Sequence, residues 1–174
     1  MRLERVRRDG RALVVKHTAH PADLEAEGLA ALADAGALVP EVVEVAAHRL
    51  VMEDLDASAP GPPSREEWTR LGERLATVHR TTADRFGWHR DNVIGTITQH
   101  NTPAEDWPTF HQRCRIDPWL GALPTEVADR LRAAEGELAR RLDHDVEPSL
   151  LHGDLWAGNV MHGRWLIDPR GLLR

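Results

Sequence analysis

The residues best suited to do chemistry lie in the stretch Leu150-Leu151-His152-Gly153-Asp154-Leu155-Trp156-Ala157-Gly158-Asn159, followed by Trp165-Leu166-Ile167-Asp168-Pro169. An Asp stands two residues after a His, an Asn five residues after that Asp, and a second Asp closes an apolar run. Moving a phosphoryl group from a nucleotide to an alcohol needs these groups. One carboxylate orients and deprotonates the hydroxyl, while an Asn amide and a second carboxylate hold Mg²⁺ on the phosphates. Asp154, Asn159 and Asp168 fill the three roles in that order.

The spacing dictates how such a site is built. Asp154 and Asn159 fall at the two ends of one short loop, so both side chains can converge on a phosphate. The segment from Val160 to Asp168 reads as a hairpin with His162-Gly163 at its turn and Trp165-Leu166-Ile167 returning, which carries Asp168 back beside Asn159. The competing reading is an ordinary hairpin whose Asp and Asn cap backbone groups.

A nucleotide also needs a cation. Of the 22 basic residues, Lys16 is the only lysine. It follows the strand-like run Ala12-Leu13-Val14-Val15. An ammonium on a thin stem reaches between phosphate oxygens where a planar guanidinium is too wide. Lys16 is therefore the candidate phosphate-gripping lysine, against the plainer reading of a strand-end side chain snorkelling to solvent.

The elements that must position these groups follow in order. Residues 3 to 8 and 11 to 16 read as two strands joined by Asp9-Gly10, a strong two-residue hairpin signal. Pro21 suits a first helical position, and Leu24, Leu29 and Leu32 recur at helical spacing up to a stop at Gly36. This helix offers Glu25 and Glu27 as partners for Lys16, and spacing alone leaves both open. Glu41 to Ala46 and Arg49 to Leu55 read as strands, and the proline-rich segment from Ala57 to Ser64 as a stiff loop. Ser64 and Glu67 make a capping box, with Trp68, Leu71, Leu75 and Val78 as an apolar stripe and His79 bonded to backbone. Thr125 is expected to cap a second long helix with Val127, Leu131, Ala134, Leu138 and Leu142 on one face.

Composition bounds the partners. The 174 residues suffice for one ordinary domain, taking roughly 150 residues per domain. A net charge of -6 and a pI near 5.9 argue against a nucleic-acid partner, and the five arginines from Arg2 to Arg11 read as the solvated face of a strand pair. The single cysteine, Cys114, fits a reducing compartment, and no apolar run approaches a membrane span. The histidines show no paired zinc spacing. The expectation is a cytoplasmic protein with neither nucleic-acid nor membrane partner; its oligomeric state is left open.

The run H-G-D, then N, then D-P resembles the aminoglycoside phosphotransferase and choline kinase superfamily, whose fold is similar to protein kinases. The fuller form L-L-H-G-D-L-W-A-G-N with I-D-P looks like the fructosamine (ketosamine) kinase family within it. So does the stretch from Phe86-Gly87-Trp88 through Asn92, Asn101 and Trp107 to Arg115, which resembles an insertion of that family.

The resemblance implies an α+β, protein-kinase-like two-lobed fold that is partial, with residues 1–56 as a small lobe and 57–174 as a large one. The family's Gly-rich turn would precede the first strand, and its final helical region would follow Asp168. Glu25, followed by Gly28-Leu29, matches the family's helical glutamate that braces Lys16. Glu53, Asp54 and Leu55 match the hinge whose backbone holds adenine, and Trp156 falls on the substrate side. ATP and Mg²⁺ are the implied cofactors, and a ketosamine, free or protein-bound, the implied acceptor. Its phosphorylation at a sugar hydroxyl would release the free amine and reverse glycation. An aminoglycoside- or choline-type phosphotransferase, and an inactive remnant or nucleotide-binding module, are the alternatives.

Overall fold

In the computed structural model the described residues are 2–58, 61–170 and 172–173. The chain divides into two compact units, one of Met1–Thr81 with His152–Gly171 and one of Thr82–Leu151 with Leu172–Arg174.

The first unit is built on an antiparallel sheet of four strands, β1 (Arg2–Arg8), β2 (Arg11–His17), β3 (Val42–Ala46) and β4 (Arg49–Glu53), in the order β1-β2-β4-β3. Asp9 and Gly10 both have positive φ, 51° and 78°, the backbone a two-residue hairpin needs to match strand twist. The pairing register, Leu3 with Lys16, Arg5 with Val14 and Val14 with Met52, decides which residues share a face. Alternation sends Leu13, Val15 and Val51 to one side, where they cluster with Val6. Arg8 and Arg11 reach across to Glu44 and Glu41, at 2.9 and 2.5 Å, so the basic strand pair is neutralised along its rim.

Helix α1 (Asp23–Asp34) lies on the opposite face, where Ala22 and Leu29 cluster with Leu50 and Met52. Pro21 falls just outside the helix; its fixed φ serves the approach, and Ala22 is the N-cap. Gly36, at φ 94°, ends the helix in a Schellman turn, with Ala37 N–H on Leu32 O and Gly36 N–H on Ala33 O, both at 2.9 Å. Beyond a 3₁₀ turn (Leu55–Ser58), α2 (Arg65–Val78) begins with the expected capping box, Ser64 Oγ accepting from Glu67 N–H at 3.3 Å and Glu67 Oε2 from Ser64 N–H at 2.5 Å. Leu71 and Val78 are buried, but Trp68 is 47% exposed and His79 is an exposed C-cap held by its own N–H rather than its ring.

The second unit holds the hairpin β5 (Asn92–Ile94) and β6 (Ile97–Gln99), α3 (Trp107–His111) running into a π turn (Gln112–Ile116), α4 (Thr125–Leu142), and β7 (Leu150–Leu151) paired with Leu172–Leu173. Phe86, Ala104, Phe110 and Cys114 form its core with Trp107 against them. Asn101, fully buried, donates to Arg90 O at 3.2 Å and accepts from Arg115 at 2.9 Å. The aromatic and amide residues of this stretch therefore build its interior. Thr125 is the first helical residue of α4 and makes no capping bond; Pro124 stands at the cap. On α4 only Ala128 is buried, one position past the expected Val127, which is exposed.

Back in the first unit, β8 (Val160–Met161) and β9 (Trp165–Leu166) form the anticipated hairpin, with His162 and Gly163 at φ 52° and 64°. Leu166 N–H bonds Leu38 O at 2.8 Å, and Leu38 pairs with Trp165, tying this hairpin to the segment after α1. Among the described residues no helix is long and apolar enough to cross a membrane.

Candidate active site

Lys16 and the face it shares define the site. Lys16 is 4% exposed, and its ammonium lies against both oxygens of Glu25, 2.8 Å from Oε1 and 2.7 Å from Oε2, and against Asp168 Oδ1. Glu25, 5% exposed, reaches it because α1 rides on the sheet face that carries Lys16. Of the two helical glutamates, Glu25 is the partner. Pro169 touches α1 at Gly28, where an added Cβ would lie 3.0 Å from the proline ring. A small residue there lets the Asp168-Pro169 turn settle onto the helix that carries Glu25.

This cluster moves its carboxylates apart. Burial pushes Glu25 up to about 7, against the pull of Lys16 and with the help of the Asp168 charge. Burial works the same way on Asp168, but Lys16 beside it outweighs that and holds it below its ordinary value. Of the two carboxylates, Glu25 is therefore the one that takes up a proton more readily, and Asp168 the one held as the anion.

The loop from His152 to Asn159 is fixed by its own hydrogen bonds. His152 is 1% exposed; its Nε2 donates to Ile167 O at 2.9 Å and its Nδ1 accepts Asp154 N–H at 3.3 Å. That pattern requires the neutral Nε2–H tautomer. Burial keeps the ring neutral by lowering its pKa, in spite of the carbonyl bond. Gly153, at φ 81°, passes so close to Arg170 that an added Cβ would stand 2.6 Å from its carbonyl oxygen. Asn159 Nδ2 donates to Asp154 O at 2.8 Å and to Asp154 Oδ2 at 3.2 Å, while Ile167 N–H bonds Asn159 O at 3.1 Å. These bonds hold Asp154 against Asn159, at the head of β8, and set Asn159 beside Ile167, the residue before Asp168. Trp156 is 63% exposed, and its ring lies over Gly158, where a Cβ would fall 2.4 Å from two ring carbons.

Lys16, Asn159 and Asp168 line a cleft of about 460 Å³, with Trp156 and Gly158 on its wall. That volume is in the range of small-molecule sites, about 300–1,000 Å³. Leu3, Val14, Pro40, Met52, Met161 and Ile167 make it apolar away from the lysine. Glu53, Asp54 and Leu55 border it as well. The N–H groups of Glu53 and Asp54 are spent on Glu41 O and Ala12 O, at 2.9 and 3.1 Å. Among the described residues, Leu55 offers the first amide of this segment that no carbonyl takes.

One feature of the rim has no local sequence signal. Arg5 donates to Asp54 at 3.1 Å and to Asp56, whose other oxygen meets His162 Nε2 at 3.1 Å. Residues as far apart as 56 and 162 meet only once the fold has formed.

The donor set suits a hard divalent cation. Asn159 Nδ2 is committed to Asp154, which would leave its Oδ1 to face a cation, and Asp168 could add an anionic oxygen. The described residues hold no group of three or more His, Cys, Asp or Glu able to bind a metal. One carboxylate and one amide oxygen, completed by phosphates and water, is how Mg²⁺ is usually held.

The model of the family described as fructosamine kinase matches residues 13–170. A probable ketoamine kinase of Escherichia coli is 35% identical over 143 residues, 75% of this chain and 49% of its own. A chloroplastic protein-ribulosamine 3-kinase of Arabidopsis thaliana is 32% identical over 132 residues, 69% of this chain and 39% of its own. This chain thus spans less than half the length of either relative. A crystal structure from Thermobifida fusca YX-ER1, which carries the name of a fructosamine-3-kinase, superposes with a TM-score of 0.83 at 32% identity, covering 98% of this chain and 64% of that one.

Proposed function

Because this chain belongs to the fructosamine kinase family, we propose that it is the working part of an ATP- and Mg²⁺-dependent cytoplasmic kinase that phosphorylates a sugar hydroxyl of a ketosamine. In this reading the fold is protein-kinase-like and two-lobed. Residues 1–56 contribute the phosphate grip and hinge, and 57–174 the catalytic loop. The observation that carries it is the meeting of Lys16, Asn159 and Asp168 in one cleft, with Glu25 paired to Lys16 behind it and Asp154 bonded to Asn159 beside it.

Each residue has a derivable part. Asp154, its Oδ2 aimed by the Asn159 amide, orients the acceptor hydroxyl and takes its proton. Lys16, braced from behind by Glu25, grips the α- and β-phosphates. Asn159 Oδ1 and Asp168 would hold Mg²⁺, which when bound neutralises phosphate charge. The apolar sheet face covers adenine, with the Leu55 amide available to it, and Trp156 offers a flat surface to the C–H face of a sugar. Catalysis then rests on positioning and charge, with no covalent intermediate.

The substrate reading is tested by offering a ketosamine, an aminoglycoside and choline at equal concentration and measuring ADP release. Ketosamine-dependent release well above the other two is the expected result. Preference for either alcohol would move the chain's activity to the wider superfamily.

A further inference from the structure

Lys16 does something in this structure beyond bracing for phosphate. Its ammonium has three N–H donors, and contacts to Glu25 and to Asp168 Oδ1 engage it on both sides. Asp168 is the carboxylate in the cleft assigned to a metal, and one of its two oxygens, Oδ1, is held by the lysine. Lys16 and Glu25 are buried, while Asp168 is half-buried at the cleft wall.

We propose that Lys16 is a resident counter-cation for Asp168, which keeps the metal site closed until nucleotide phosphates draw the ammonium away, so that metal binds with nucleotide and not before it. The inference rests on the reading of Asp168 as a metal ligand. The physical reason is charge. A divalent cation approaching a carboxylate that already touches an ammonium meets repulsion at short range, at a half-buried wall where water screens less than in bulk. Mg²⁺ also sheds its water reluctantly and gains little from a carboxylate already neutralised. Phosphate oxygens reverse both effects, because they give the ammonium a new partner while Glu25 keeps its hold from behind. Coupling of this kind is reciprocal, so nucleotide and metal each raise the other's affinity.

Because the chain has one lysine, the state of that ammonium can be read without ambiguity. Wild-type protein labelled with ¹³C,¹⁵N-lysine gives one side-chain NMR signal to follow. Mg²⁺ alone is expected to leave it unmoved, ADP with a chelator to shift it, and ADP with Mg²⁺ to shift it further. In parallel, Mn²⁺ binding is measured by electron paramagnetic resonance on wild type, Lys16→Met and Asp168→Asn. Lys16→Met should bind Mn²⁺ alone about tenfold more tightly than wild type or better. Asp168→Asn should lose the Mn²⁺ that wild type binds in the presence of ADP.

Saturable displacement of the lysine by Mg²⁺ alone overturns the proposal, and so does a folded Lys16→Met that binds Mn²⁺ no more tightly than wild type. Either result leaves the kinase reading intact if ADP still shifts Lys16. A Lys16 signal indifferent to ADP, or Mn²⁺ binding indifferent to Asp168→Asn, removes the reading on which the proposal stands. Should Lys16→Met fail to fold, the wild-type spectra decide alone.

Discussion

Glu25 and Asp168 share one ammonium and respond to it in opposite directions, and that difference sets how the cluster behaves with pH. Glu25 holds its proton more tightly in the fold than in the unfolded chain. Between its ordinary 4.5 and its folded value of about 7 the native state binds more protons. Its contribution to stability is therefore complete below that window and is lost as pH rises through it. Asp168 works the other way, adding stability above its ordinary range that is lost as pH falls through its lowered folded value. Denaturant midpoints taken across pH 4.5 to 7 should fall more steeply for wild type than for Glu25→Gln. Parallel profiles would show that burial of Glu25 is not what governs its proton. The sequence alone could pair Lys16 with a helical glutamate, since a solitary lysine after an apolar strand is a strong signal. It could not show that Asp168 would compete for the same ammonium, because that contact spans 152 positions.

At the scale of elements, local chemistry was legible wherever a short segment dictates its own backbone. Asp9-Gly10, His162-Gly163 and the Ser64/Glu67 capping box all stand where their residue types place them. Removing the cap by Ser64→Ala should cost about 1 kcal/mol of stability, read as a lower urea midpoint with an unchanged slope. No loss would mean that Glu67, which also binds Arg164, holds the helix start by itself. What was not legible depended on neighbours. Thr125 has the right side chain for a cap, but Pro124 takes the position. Trp68 fits a helical stripe yet stands half in solvent, since periodicity reports a face without saying what covers it. The hairpin from Asn92 to Gln99 and the π turn after α3 lie in a stretch read only as an insertion, where no element is long enough to declare a period. The loop proposed to be catalytic makes the sharpest demand of any element. Gly158→Ala would drive a methyl group into the Trp156 ring, so the loop must shift. Displacements on that scale at a reacting centre cost about 100-fold in rate, and kcat/KM should fall by that order with little change in melting temperature. An unaffected rate would mean that Trp156 can turn away without consequence for the site.

For the molecule as a whole, the family and the mixed α/β character could be read from the sequence, the family chiefly from one motif. The assembly of the cleft could not, since it is made by the register of β1, β2 and β4 and by the docking of α1 on one face. The proposed function gives proton transfer to Asp154 and nucleotide binding to other residues, and these two duties can be separated. The decisive measurement follows ATP consumption in the presence of a ketosamine by wild type and by Asp154→Asn, with a thermal scan of each in Mg²⁺ and ATP. A ligand that binds only the folded state stabilises it by about 2.7 kcal/mol at a hundred times its Kd, so the scan reports nucleotide binding without turnover. Both proteins are expected to gain thermal stability with nucleotide, while Asp154→Asn loses about 10²–10⁴-fold of the ketosamine-dependent rate if Asp154 is the base. Equal rates in the two proteins would contradict that role.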